Sequence, residues 1–260
     1  MSNFSIQNTN NSGPMGPTGP SGLLGILFPN ESVVIGVGAS GGYRSVSIGT
    51  YAGYTGQGQY SVAIGQDSGN TNQKSTAIAI GANAGYTGQR EGAIAIGIVA
   101  GANGQNSSSV AIGQNTGQIN QGQYSVAIGP NSGNNVQGER AVSIGRLAGY
   151  TGQNNSSIAI GENAGQISQG LTSVAIGKNA GQTNQGENCV AIGANAGISD
   201  QPTNTNVIGN FTAISSLGAT DATYINPIRD SNSTQLPAGF KQLAWNQTTK
   251  EIVLFGTLGT

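Results

Sequence analysis

The side chains that carry out most protein chemistry are scarce in this sequence, and the few present recur at a fixed interval. There is no histidine, one cysteine (Cys189), nine basic and ten acidic residues among 260. Without an imidazole, neither a histidine-based nucleophilic triad nor a histidine metal site can be built. A lone thiol makes no thiolate metal cluster and no intrachain disulfide. Sixteen and thirty-two residues before Cys189 the same place holds Ser173 and Ser157, so it reads as a small residue rather than a nucleophile. The repeat register brings no two carboxylates together, as glycoside hydrolysis would require. Gly36-Val37-Gly38 and Gly41-Gly42 lack the lysine and following helix of a phosphate loop. The sequence therefore offers no catalytic, cofactor-binding or metal-binding residue and implies no cofactor.

What recurs is an amide. Gln57, Gln73, Gln89, Gln105, Gln121, Gln137, Gln153, Gln169, Gln185 and Gln201 are spaced 16 apart. A row of amides could grip a ligand. Stacked in register, it could instead form a hydrogen-bonded ladder, as in cross-β arrays, and that structural reading is the one adopted.

The elements that hold the amides are repeats of the same period. Ile-Gly recurs from Ile48 through Ile64, Ile80 and so on to Ile208, without insertion. Two residues before each Ile stands Val or Ile, from Val46 to Val190, until Asn206 breaks the column. Five residues after each Ile stands a second glycine, from Gly53 to Gly197. Ser-Val-Ala-Ile, as at Ser61 to Ile64, is a short β-branched strand of period two. Val and Ile point to one face, and Ala63, Ala79, Ala95 or Ala111 to the other. Gly65 and its equivalents end the strand at a turn needing positive φ, and Asn83-Ala84-Gly85 reads as turn chemistry.

Sixteen residues are too few for a strand-helix-strand crossover. They suit one coil of a parallel β-solenoid whose coils stack at ~4.8 Å, making a rod of about 50 Å. The fold class is all-β. In register, Arg146, Glu162 and Lys178 form a ladder of alternating sign on an exposed face, with Glu162 between its two partners. Glu91, Glu139 and Glu187 share another column but lie three coils apart.

With Val and Ile taken as the coil's own core, the Ala/Ser face is left apolar and small, close enough in shape for another chain to approach. The expectation is that this small-residue face packs against neighbouring subunits of a homotrimer. The number three comes from the N-terminus. Gly13, Gly16, Gly19, Gly22 and Gly25 are three apart, with Pro14, Pro17 and Pro20 among them, which is the collagen pattern. The domain reading is a flexible tail over 1–12, a collagen-like stretch over 13–25, a transition segment over 26–44, the solenoid over 45–209 and a β cap or tip over 210–260. In the last, Leu243-Ala244-Trp245 and Ile252 to Phe255 read as a hairpin, with Trp245 as a packing anchor.

Composition narrows the class further. Only 7% of residues are charged and 44 are glycine, too little bulk for a compact core and too little charge for a disordered chain. Net charge is -1 with no basic stripe, which argues against nucleic-acid binding. Met1 to Ser12 lack the basic and apolar regions of a secretory signal, and the longest apolar run, Leu23 to Phe28, is too short for a membrane span. The expectation is synthesis in a cytosol and arrival at a surface by another route. The sequons at Asn30, Asn155, Asn210 and Asn246 read as coincidental in so asparagine-rich a chain.

The Ser-Val-Ala-Ile-Gly-x-x-Ala-Gly repeat resembles the head repeats of trimeric autotransporter adhesins over about residues 45–209. The resemblance implies a trimeric left-handed parallel β-roll. Tyr224-Ile225-Asn226-Pro227-Ile228-Arg229 and Leu243 to Ile252 are similar to the segment ahead of the intramolecular chaperone in phage tail fibres and giant-virus fibre-like proteins. That resemblance implies a chaperone that templates trimerisation and is then removed; this chain ends at Thr260.

The leading functional expectation is a non-enzymatic structural fibre or spike subunit of a virion surface or tail fibre, serving host attachment. Its implied partners are two further copies of the chain, a host-surface receptor (glycan or protein), and a capsid or tail anchor protein at the N-terminus. The alternative is an adhesin or appendage subunit on a bacterial cell or spore. A glycan-degrading tailspike would need paired carboxylates. An ice-binding solenoid would need a regular threonine row, whereas Thr55, Thr71, Thr87, Asn103, Ile119, Asn135 and Thr151 are mixed.

Overall fold

The computed structural model describes residues 31–210, 221–226, 242–245 and 252–255, the last two stretches and Asn226 by their strand pairing alone. The flexible tail, the collagen-like stretch, the start of the transition segment, Phe211, Phe240 and the turn of the C-terminal hairpin lie outside the described residues.

Val62-Ala63-Ile64 pairs in parallel with Ile78-Ala79-Ile80, residue opposite residue sixteen on. Ile78 to Ile80 pairs likewise with Ile94 to Ile96. Repetition of this step builds a parallel sheet of thirteen strands, ordered as in the chain. Among the described residues every element is β, as the repeat length requires.

The sheet runs past both ends of the sixteen-residue repeat. Val33–Ile35 pairs with Val46–Ile48 after a step of only thirteen. Thr223–Asn226 pairs with Asn206–Gly209 after a step of seventeen. Residues read as a transition before 45 and as a cap after 209 therefore contribute strands. Each departure from sixteen hides a coil from a search for fixed periodicity. Gln242–Trp245 and Ile252–Phe255 pair antiparallel with Trp245 opposite Ile252, which makes the expected hairpin.

A second, shorter parallel sheet lies on the other side of the coil. Its strands are Ile119–Gln121, Asn135–Gln137, Thr151–Gln153, Ile167–Gln169 and Thr183–Gln185. Single bridges such as Thr55 to Thr71 and Thr71 to Thr87 continue it toward the N-terminus. In each strand the middle residue takes positive φ, as at Asn120, Val136, Ser168 and Asn184, so only the outer two residues pair, as in Thr151 with Ile167 and Gln153 with Gln169. Left-handed residues favour Gly and Asn. Hence this stretch reads as loop in the sequence although it is a strand.

The interior reverses one expectation. Ala63, Ala79, Ala95 and Ala111 are fully buried, whereas Val62, Ile64, Ile78 and Ile80 are only half-buried. The Ala/Ser face is thus the inside of the coil and cannot meet another subunit. The Val/Ile face looks outward. The reason is width. A methyl built on Gly85, at φ +53, would lie 2.6 Å from Gln89 Oε1 and 3.3 Å from the Ala79 methyl. A cavity that barely tolerates one carbon has no room for valine or isoleucine. Buried alanines from the strand and the turn, such as Ala79, Ala84, Ala95 and Ala100, form the apolar part of the core.

The turn after the strand follows from backbone sterics. Gly81 has φ +125, and a methyl there would stand 2.6 Å from the Gly97 carbonyl oxygen in the next coil. Positive φ and close stacking together exclude any side chain. Gly36 at φ +134 meets Gly49 in the same way, which marks Val33–Ile35 as a true coil strand.

Candidate functional site

Two linear arrays are candidates for function: the amide column inside the coil and the apolar column outside it. The glutamine side chains fill what the alanines leave. Gln73 Nε2 donates to Gln89 Oε1 at 3.1 Å, and the chain of amides continues through Gln105, Gln121, Gln137 and Gln153 to Gln169. Each amide also caps backbone: Gln89 Nε2 donates to the carbonyls of Ile78 at 2.7 Å and Ala93 at 3.1 Å. These amides are fully buried, so no external ligand reaches them and the column is structural. A further bond joins Gln185 to Gln201. The row is interrupted on either side of the long run, since Gln73 Oε1 and Gln185 Oε1 accept no hydrogen bond. At the first coil Gln57 turns to Ser45 and Ser47 instead.

The outer column is a stripe of β-branched side chains. It begins at Val33 and Ile35, and its outward isoleucines include Ile112 at 37% exposure, Ile144 at 36%, Ile208 at 41% and Ile225 at 44%. With thirteen strands at ~4.8 Å it runs for roughly 60 Å. No outward position on it is charged. Isolated surface apolar residues are ordinary, but a contiguous stripe of this length is a candidate interaction face. Sequence reasoning found these residues through their alternation and assigned them to the wrong side.

Charges sit beside the stripe. Glu162 accepts from Arg146 and lies 3.6 Å from Lys178 Nζ, so the expected ladder is present. The Arg146 hydrogen bond, and then the Lys178 charge, hold the Glu162 carboxyl below its ordinary range. Glu139 instead lies 3.8 Å from Arg140 in its own coil. Toward the N-terminus Arg44 pairs with Glu31 and lies 4.9 Å over the Tyr43 ring. Tyr43 in turn meets Tyr60 edge-on with ring centres 5.9 Å apart.

Cys189 is buried, with Sγ 2.8 Å from the Pro202 carbonyl oxygen. Burial pushes its pKa up, which keeps the thiol protonated and poorly nucleophilic. Among the described residues no three His, Cys, Asp or Glu side chains come together as a metal site. Among them, too, no helix is long and apolar enough to cross a membrane.

Residues 121–148 match the YadA head domain repeat, in two copies. The matched residues hold Val126-Ala127-Ile128 and Val142-Ser143-Ile144, two adjacent coils with their Val/Ile pairs outward and Ala127 and Ser143 inward. The similarity falls on the repeating unit of both arrays. No curated protein and no solved structure matches the chain.

Proposed function

We propose that the chain is a non-enzymatic, adhesin-like structural subunit that works as a homotrimer displayed on a surface. The observation that carries the reading is the uncharged Val/Ile stripe along the whole solenoid. Its knobs repeat at the coil spacing. A straight row of such pitch fits another row of the same pitch, and the chain's own copies provide it. Hydrophobic burial at ~25 cal/mol per Å² over so long a stripe is ample for stable association. Closed rotational symmetry satisfies all copies alike. The collagen-like Gly13 to Gly25 and the similarity to the YadA head repeat favour three chains. A rigid rod with stacked amides inside and polar ladders outside suits holding a contact surface away from a cell or particle.

The experiment is sedimentation equilibrium of the whole chain beside Ile112→Asp with Ile128→Asp. Three-chain mass for the first and single-chain mass with an unchanged β spectrum for the second are expected. A monomeric wild type would overturn the reading. Labelling with antibody should then find the protein on an outer surface, and a purely cytoplasmic distribution would count against display.

A second reading, a virion surface or tail fibre with an anchor protein at its N-terminus, draws on the collagen-like stretch and on the tail segment from Tyr224 to Ile252. Purified particles carrying the antigen would favour it over a bacterial cell or spore surface. Receptor contact, by glycan or protein, belongs to either reading and is tested by binding of labelled trimer to host cells.

A further inference from the structure

A stripe of identical knobs has a weakness as an interface. Chains sliding past each other by one coil, ~4.8 Å, remake every Val/Ile contact except those at one end. On the stripe itself the regular coils distinguish the correct alignment from its neighbours only weakly, by a methylene here and there, because Val46, Val62, Val110, Val126, Val142, Val174 and Val190, with Ile78, Ile94 and Ile158, occupy the same place. Turning one chain end for end is equally cheap. Faithful assembly therefore needs residues that break the translational symmetry on the stripe itself.

Two such residues are present, both at one end. Asn206 and Thr223 replace Val in the last two strands of the thirteen, while Ile208 and Ile225 continue the adjacent column. They touch each other, with Asn206 Nδ2 donating to Thr223 Oγ1 at 3.3 Å. Asn206 is half-buried and Thr223 exposed, so both look out along the stripe rather than into the coil. We propose that Asn206 and Thr223 set the axial register and parallel orientation of the associated chains; this rests on the self-association proposed above.

The physical basis is the cost of burying an amide or hydroxyl against hydrocarbon without a partner. In the correct register these polar groups meet their own equivalents at one level, where amide and hydroxyl can exchange hydrogen bonds. A slip by one coil seats Asn206 of one chain against Val190 and Ile192 of another. A reversed chain seats it against the far end, Val33 to Ile48. Both leave the amide's second N–H and its carbonyl oxygen desolvated against hydrocarbon, with only the intrachain bond to Thr223 kept. A single polar residue in an otherwise apolar seam specifies register in coiled coils on the same principle.

The test replaces both residues by the stripe's own amino acid, Asn206→Val with Thr223→Val, in a Cys189→Ser background. Valine occupies the preceding coil at Val190, so the fold has a precedent for it, and thermal unfolding checks that. Two reporter chains, Ile128→Cys and Ile144→Cys, are mixed, assembled and oxidised. With Asn206 and Thr223 intact, same-number disulfides should outnumber mixed 128–144 disulfides by about tenfold. With both changed to valine the mixed product should rise several-fold, toward parity. An unchanged ratio in the valine variant, with oligomers still forming, overturns this proposal alone. Single-chain mass and no disulfide in either background would overturn the self-association on which it rests.

Discussion

Gln89 donates through Nε2 to Oε1 of Gln105 at 3.1 Å across one coil, and both amides are fully buried. The larger side chains inside this solenoid are therefore polar, and they cohere by hydrogen bonds that run along the stacking direction. Each amide is donor and acceptor at once, so neighbours polarise each other.

Breaking the row should be expensive. Gln105 donates to the Ile94 carbonyl at 2.7 Å and to Gln121 Oε1 at 3.2 Å. Gln105→Ala leaves a cavity and unpaired amides, with an expected loss of about 3 kcal/mol in denaturant titration. Gln105→Glu keeps the shape but cannot donate when ionised. Its pKa should rise on burial, so this variant should gain stability as pH falls, opposite to the acid response of the parent. A variant insensitive to pH would contradict the enclosed position of the amide.

Two glycines separate crowding from backbone strain. A methyl on Gly97, at φ +129, meets the Gly113 carbonyl oxygen at 2.5 Å, whereas one on Gly88, at φ +71, meets nothing within 4 Å. Gly88→Ala should cost only the left-handed conformation, about 1 kcal/mol. Gly97→Ala adds a clash with backbone that cannot move without parting two coils, and should exceed about 3 kcal/mol. Equal thermal shifts for the two would refute the stacking geometry.

Val99 is a place where the natural sequence is not optimal. It takes φ +61, while Asn83 and Asn115 hold the same position one coil to either side at φ +55 and +54. A β-branched residue is strained there and asparagine is not. Further along the same column, Asn163 donates to Asn179 at 3.0 Å and Asn179 to Asn195 at 2.9 Å. Val99→Asn should therefore stabilise by about 1 kcal/mol and raise the thermal midpoint by roughly 2–4 °C. A lowered midpoint would show that Val99 packs usefully despite its backbone.

Glu162 predicts the pH and salt response. Its carboxyl is held low by the Arg146 hydrogen bond and then by Lys178. A depressed carboxylate contributes fully above its unfolded value, and the contribution is lost as pH falls through the folded one. With no histidine in the chain, the midpoint should be flat between about pH 5 and 8. Glu162→Gln should lower it slightly in that plateau and remove part of the acid slope. Because the ladder is exposed, the difference should vanish in 1 M salt, where the Debye length is about 3 Å. A difference that survives salt would mean a buried pair.

Much of this was legible in the residues. An unbroken interval of sixteen placed Gln89 over Gln105 and Glu162 between Arg146 and Lys178, because stacked strands repeat the same residue at the same place. Ile-Gly located the strand ends, since only glycine adopts the φ found at Gly65 and Gly81. The second strand of the five coils from Ile119 to Gln185 was not legible, because residues such as Asn120 and Ser168 at its centre carry the signature of a turn. Nor were the irregular coils at Val33 and Thr223, whose spacings of thirteen and seventeen leave the period.

Alternation along Val-Ala-Ile shows that a strand has two faces, one bulky and one small, and the sequence by itself determined that much. Which face is inside was decided only when the coil closed. A turn every few residues brings opposite walls so near that Ala79, Gly85 and the Gln89 amide already fill the space. Volume, not hydrophobicity, chose the interior, and it left valine and isoleucine on the outside of the coil.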